Sequence, residues 1–126
     1  MIPVVFEDDP ASPAALPTAD SSAFFLRFAE RAPLWRNEVT LRSVEMFTEY
    51  EPGSYAAFIS PTPLMMVVAL GDVLTVADLA LGAYERALEP KRLVTLPGGH
   101  FDAYVKDFEA SAGPATEWFT QYLLAK

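Results

Sequence analysis

Residues 64–70 read Leu-Met-Met-Val-Val-Ala-Leu, apolar at every position and followed at once by Gly71-Asp72. A strand with one wet face alternates apolar and polar residues. An unbroken short apolar run bounded by turn residues therefore predicts a strand covered on both faces. Pro61 and Pro63 give it a stiff extended entry. A second strand, Lys-Arg-Leu-Val-Thr-Leu, is expected at 91–96, where Pro97-Gly98-Gly99-His100 turns the chain sharply. Between the two strands Thr75 suits the cap of a helix over 76–88, with Leu79, Ala83 and Ala87 inward and Glu89-Pro90 ending it. A last helix runs from beyond Asp102 to Leu124 and is interrupted or restarted at Gly113-Pro114. Trp118, Tyr122, Phe119 and Leu123 form its apolar side. Strand, helix, strand with short connections implies a parallel pair joined by a right-handed crossover, and hence an α/β fold.

The first half has a different character. Pro10, Pro13 and Pro17 break any regular continuation of the short extended piece Ile2–Phe6. Asp20, Ser21 or Ser22 caps a helix reaching about Arg31, with Phe24, Phe28 and Ala32 on one stripe, and Pro33 ends it. A second helix is expected over 36–50, with Val39, Ser43, Met46 and Tyr50 on one face and Leu41, Val44 and Phe47 widening it. Pro52-Gly53 stops it. The chain thus divides into an irregular and helical segment, 1–59, and a strand-helix-strand-helix segment, 60–126.

Composition removes several kinds of chemistry. Seventeen acidic against nine basic residues leave a net charge of -8, which argues against a phosphate-binding face and hence a nucleic-acid partner. With no cysteine there is no disulfide, thiolate nucleophile or Cys-based zinc site, and the single histidine, His100, excludes a multi-His metal centre. No cofactor is expected. The longest apolar run is the one at 64–70, against about 20 residues for a spanning helix, so no membrane partner is expected either. The start MIPVVFEDDP lacks a basic region and an apolar stretch of signal length, and a cytoplasmic location is the expectation.

In open parallel sheets, ligands and reactive groups gather beyond the carboxyl ends of the strands. Asp72 lies just past the first strand and His100 just past the second, so a parallel pair brings both to the same sheet edge. A carboxylate that reaches an imidazole fixes its tautomer and stabilises the imidazolium, the orienting half of a nucleophilic triad. Each residue also has a plainer explanation. Gly-Asp after a strand is ordinary turn chemistry, and a histidine in a turn can simply bond a backbone group. Asp102, two residues beyond His100, is an alternative acid, whereas Asp78 is a solvated helix residue. Phe24, Phe25, Phe28, Trp35, Phe47 and Tyr50 are packing residues or the lining of an acyl pocket. Trp118 and Phe119 belong to the core, and Glu7-Asp8-Asp9 is a solvated start.

The stretch PTPLMMVVALGDVLTVADLALGAYERALEPKRLVTLPGGHFDAY, residues 61–104, resembles the C-terminal end of an α/β-hydrolase of the dienelactone-hydrolase or acyl-esterase-like kind. In that family the acid stands in the turn after a late strand and the histidine in the loop after the last one. The resemblance thus implies Asp72 as acid and His100 as general base of an ester- or acyl-hydrolysing serine enzyme. It further implies that RAPLWRNEVTLRSVEMFTEYEPGSY, residues 31–55, is a helical, lid-like insertion. Position 76 is Val where such proteins often carry Pro. The nucleophile of the family stands in a G-x-S-x-G elbow. None of Ser12, Ser21, Ser22, Ser43, Ser54, Ser60 and Ser111 does so, and Pro52-Gly53-Ser54-Tyr55 lacks the second glycine. On this resemblance the chain looks like the trailing half of a hydrolase, with nucleophile and oxyanion donors in the other half.

Three readings follow. The first is a hydrolase whose serine arrives from elsewhere, acting on a small acyl or ester substrate only when that nucleophile is supplied. The second is a non-catalytic remnant serving as an oligomerising or partner-binding module. The third is a small free-standing α/β binding domain. Two parallel strands leave their outer edges unpaired, so a homo-oligomer or a complementing chain is expected.

Overall fold

The structure is a computed structural model that describes residues 1–124; the last two residues of the 60–126 segment lie outside them. The chain divides into two compact units, Met1–Glu51 and Pro52–Lys126.

In the first unit, helix α1 spans Ala19–Ala29 and helix α2 spans Leu41–Glu49. Asp20, Ser21 and Ser22 lie inside α1, and Thr18 occupies the cap position. The serine hydroxyls are engaged elsewhere: Ser21 meets the Thr18 hydroxyl at 2.6 Å and Ser22 donates to the Phe6 carbonyl. Helix α2 starts five residues later than the sequence pattern implies, because residues 37–39 are held by the N-terminal segment. Ile2 and Val39 exchange two backbone bonds of 2.8 Å each, and the Asn37 amide clasps both the N–H (3.0 Å) and the carbonyl (2.8 Å) of Val5. Val39, in a strand-like backbone pairing, cannot take helical dihedrals, so the helix waits for Thr40, whose hydroxyl accepts from Ser43 N–H at 3.0 Å. Phe25 stacks on Trp35 with ring centroids 5.9 Å apart, and Phe24 tilts against Phe28 at 4.9 Å.

The second unit opens with a 3₁₀ turn at Pro52–Phe58, followed by strand β1 (Leu64–Ala69), helix α3 (Ala77–Arg86), strand β2 (Lys91–Leu96) and helix α4 (Phe108–Phe119). The strands run parallel in an unbroken register from Leu64 opposite Lys91 to Ala69 opposite Leu96. Helix α3 is the crossover. Its buried Ala83, with Ala87 just past its end, packs on Ala56 of the 3₁₀ turn and on Leu64, a centre of small side chains that lets backbone segments approach closely. Leu79 is exposed instead of inward. Helical side chains lean toward the N-terminus, so one in the first turn overhangs the start of its helix.

Helix α4 packs on both strands and continues through Gly113-Pro114 without a break. The usual obstacle before a proline is a clash with the preceding Cβ, which Gly113 does not have. Trp118 is buried with Tyr122 against it at 4.5 Å, but Phe119 is exposed. The helix then loosens into a π turn at Thr120–Leu124.

Among the described residues the expected double cover of β1 is incomplete. Val68 is buried, yet Val67 is 37% exposed, and Leu70, just past the strand, is 52% exposed. Among the described residues the sheet has two strands only, so one edge of β1 carries no partner. An apolar hollow of about 310 Å³ opens between Leu64, Met65 and Val67 of β1 and Trp118 and Phe119 of α4.

Candidate functional site

The two strands deliver their C-terminal loops to one edge, and backbone pairing carries on past the last strand residues. Leu70 N–H donates to Leu96 O at 2.8 Å and Gly71 N–H to Gly98 O at 3.0 Å. A Cβ on Gly71 would lie 3.0 Å from the Gly98 oxygen and 3.3 Å from that of Pro97. Glycine thus permits the close approach of the loop tips that carry Asp72 and His100.

The structure brings these two residues together. The Asp72 Oδ2 atom lies 2.8 Å from His100 Nδ1, with the Asp72 side chain 9% and the His100 side chain 25% exposed. An ionised carboxylate only accepts, so Nδ1 carries the proton of this bond. In the neutral ring that leaves Nε2 as the basic nitrogen, and among the described residues of this unit nothing bonds to it.

The plainer role of Asp72 holds at the same time. Its Oδ1 accepts from the N–H groups of Leu74 and Thr75, and its Oδ2 from the Thr75 hydroxyl, all at 2.8 Å. This is an aspartate-closed turn, built so that the same carboxylate also faces the imidazole. Burial pushes the Asp72 carboxyl up, but the Thr75 N–H, His100, the Thr75 hydroxyl and the Leu74 N–H together outweigh it. The carboxyl is held below its ordinary value of 3.8.

Sequence reasoning missed the part played by Thr75. It does not cap α3, where Val76 holds the cap position without a side-chain bond; its hydroxyl sits between Asp72 and His100, 3.2 Å from Nδ1. The Asp-x-x-Thr spacing after a strand is the signal that would have found it, since a side chain three residues on folds back over such a turn. Asp102, the alternative acid, bonds the Gly99 N–H at 2.9 Å instead of the ring. The Phe101 ring meets the imidazole edge-on at 4.7 Å. A cavity of about 170 Å³ lies beside the pair, lined by Val68, Ala69, Asp72, Thr75, His100 and Tyr104 among others.

Within this unit the Ser60 and Ser111 hydroxyls donate to the carbonyls of Glu89 and Ala103, both at 2.8 Å, and no serine bonds His100. Among the described residues no three His, Cys, Asp or Glu side chains gather to hold a metal ion, and no helix is long and apolar enough to cross a membrane.

No family model and no curated protein matches the chain. Among solved structures it is similar to the crystal structure of the α/β hydrolase GrgF from Penicillium sp. sh18. The TM-score is 0.72 and the identity 25%, over 98% of this chain and 42% of that one. The chain therefore spans less than half the length of the hydrolase it matches. Its parallel strands, crossover helix and this likeness together make it an α/β-hydrolase-like fold.

Proposed function

We propose that these residues are the acid- and histidine-bearing C-terminal part of an ester- or acyl-hydrolysing serine hydrolase, of the dienelactone-hydrolase or acyl-esterase-like kind. His100 is its general base and Asp72 the residue that orients it. The supporting observation is the 2.8 Å bond between Asp72 Oδ2 and His100 Nδ1, which leaves Nε2 as the nitrogen to accept a nucleophile's proton. In this reading a serine from outside the 126 residues gives its proton to Nε2 as it attacks an acyl carbon. The imidazolium, steadied by Asp72, returns that proton to the leaving group. The helical segment within residues 1–59 acts as a lid, and the substrate is a small acyl compound or ester.

The unpaired edge of β1 and the exposed Val67 and Leu70 favour one companion reading, in which the chain associates with a complementing chain or a second copy. Catalysis is tested with short p-nitrophenyl esters. The chain alone is expected to give no turnover above the His100→Ala control. A chimera in which it replaces the matching 42% of GrgF is expected to hydrolyse the ester and to lose that activity with His100→Ala. Robust turnover by the chain alone that His100→Ala removes would place the nucleophile among its own serines, and a fluorophosphonate label would identify which. A folded chimera indifferent to His100→Ala and Asp72→Asn would overturn the assignment of the pair.

A further inference from the structure

We infer that Asp102 is a positioning residue for His100, holding the backbone from which the imidazole reaches Asp72; this rests on reading Asp72 and His100 as an acid–base pair. Gly99 immediately precedes His100, and both of its backbone polar groups are taken by Asp102. Its N–H donates to Asp102 Oδ2 at 2.9 Å and its carbonyl accepts from Asp102 N–H at 3.1 Å. The Asp102 carbonyl in turn accepts from Val105 N–H at 3.1 Å and Asp107 N–H at 2.7 Å, which anchors the clamp to the turn leading into α4.

Gly98 is packed against the same group. A Cβ there would collide with the Asp102 carboxylate and lie 2.7 Å from both Asp102 Cβ and Asp107 Oδ2. The other charged groups nearby are Lys106, whose Nζ is 3.9 Å from Asp102 Oδ2, and Asp107, whose buried Oδ2 makes no bond.

The clamp has a physical purpose. Two successive glycines give the segment before His100 the widest conformational freedom any dipeptide has. A base must be held within a fraction of an ångström of its working geometry to contribute fully. The bond to Asp72 fixes one ring nitrogen, and the edge-on Phe101 ring limits rotation, but neither fixes the backbone. Asp102 does so from a position where its carboxylate never touches the ring.

The test uses the 126-residue chain and the low-field proton resonance of His100 Nδ1–H, which is unambiguous because the sequence has a single histidine. Asp102→Ala is expected to speed solvent exchange of that proton about tenfold or more through local opening. Asp102→Asn, which keeps an acceptor for Gly99 N–H, should restore the wild-type rate, and Lys106→Ala should leave it unchanged. A folded Asp102→Ala variant with the wild-type rate overturns the inference, and so does Asp102→Asn failing as badly as alanine. Should Asp102→Ala not fold, the Gly99 amide of the wild type decides the matter. Protection of about tenfold or more over an unbonded glycine supports the clamp, and its absence overturns it. A wild-type chain with no such ring resonance sinks the acid–base pair itself, an outcome distinct from a loss confined to Asp102→Ala.

Discussion

Removing the Asp72 carboxylate separates its two roles quantitatively. Asp72→Ala deletes four acceptor contacts, all at 2.8 Å: three from Leu74 and Thr75 within the turn, and one from His100 across the sheet edge. Hydrogen bonds to a charged group contribute roughly 1.5–3 kcal/mol each when water cannot replace them. The turn donors are near solvent and can be rehydrated, so about 0.5 kcal/mol apiece is a reasonable share, giving about 1.5 kcal/mol for the turn. The His100 bond joins two side chains that are 9% and 25% exposed, so little of it is lost to solvent, and it contributes about 1.5 kcal/mol. The expected loss for Asp72→Ala is then about 3 kcal/mol, a substantial part of the 5–15 kcal/mol typical of a domain. His100→Ala removes only the long-range bond. In a double-mutant cycle by urea unfolding, read by tryptophan fluorescence and by circular dichroism, the coupling between the two positions should be about 1–1.5 kcal/mol. A coupling within about 0.3 kcal/mol of zero, with both single variants folded, would show that the carboxylate serves only its own turn, and the acid–base argument would fail.

The depressed Asp72 carboxyl carries a pH signature. Because its folded value lies below 3.8, its stabilisation is complete above that pH and disappears as pH falls through the lower folded value. The stability difference between wild type and Asp72→Asn should therefore shrink on acidification in that window, and a difference independent of pH would contradict the assignment. Gly98→Ala forces a Cβ to 2.7 Å from Asp107 Oδ2 and into the Asp102 carboxylate, so a loss of about 2 kcal/mol or more and a displaced His100 resonance are expected. A neutral outcome there would mean that the loop is not packed as described. The unpartnered edge of β1 and the exposed Val67 predict association in sedimentation equilibrium at micromolar concentration, weakened by Val67→Lys; a stable monomer unaffected by that substitution would count against it.

What could be read from sequence divides along a physical line. The run at 64–70 announced a strand because apolar residues without alternation have few other uses in a short segment. The meeting of Asp72 and His100 followed from parallel topology alone, since both residues sit at the carboxyl ends of neighbouring strands. Local rules failed where a distant segment competed for the same backbone. Asn37 and Val39 read as helix, yet the Asn37 side chain is taken by Val5 and the backbone pairing with Ile2 holds Val39 extended. Thr75 read as a helix cap until Asp72 took its hydroxyl. Cover on both faces of β1 was inferred from the strand's own residues, but cover is supplied by neighbours, and a strand's composition reports what it needs, not what it has.

The acid and the imidazole are borne by a single crossover, residues 72 to 100, and the Gly71–Gly98 contact ties their loops into one piece. The two groups are thus assembled by one strand pairing and one helix, independently of whatever lies along the free side of β1. In the proposed reading the acid–imidazole pair is a preformed cassette, and a docking chain would have only to bring an oxygen nucleophile to Nε2.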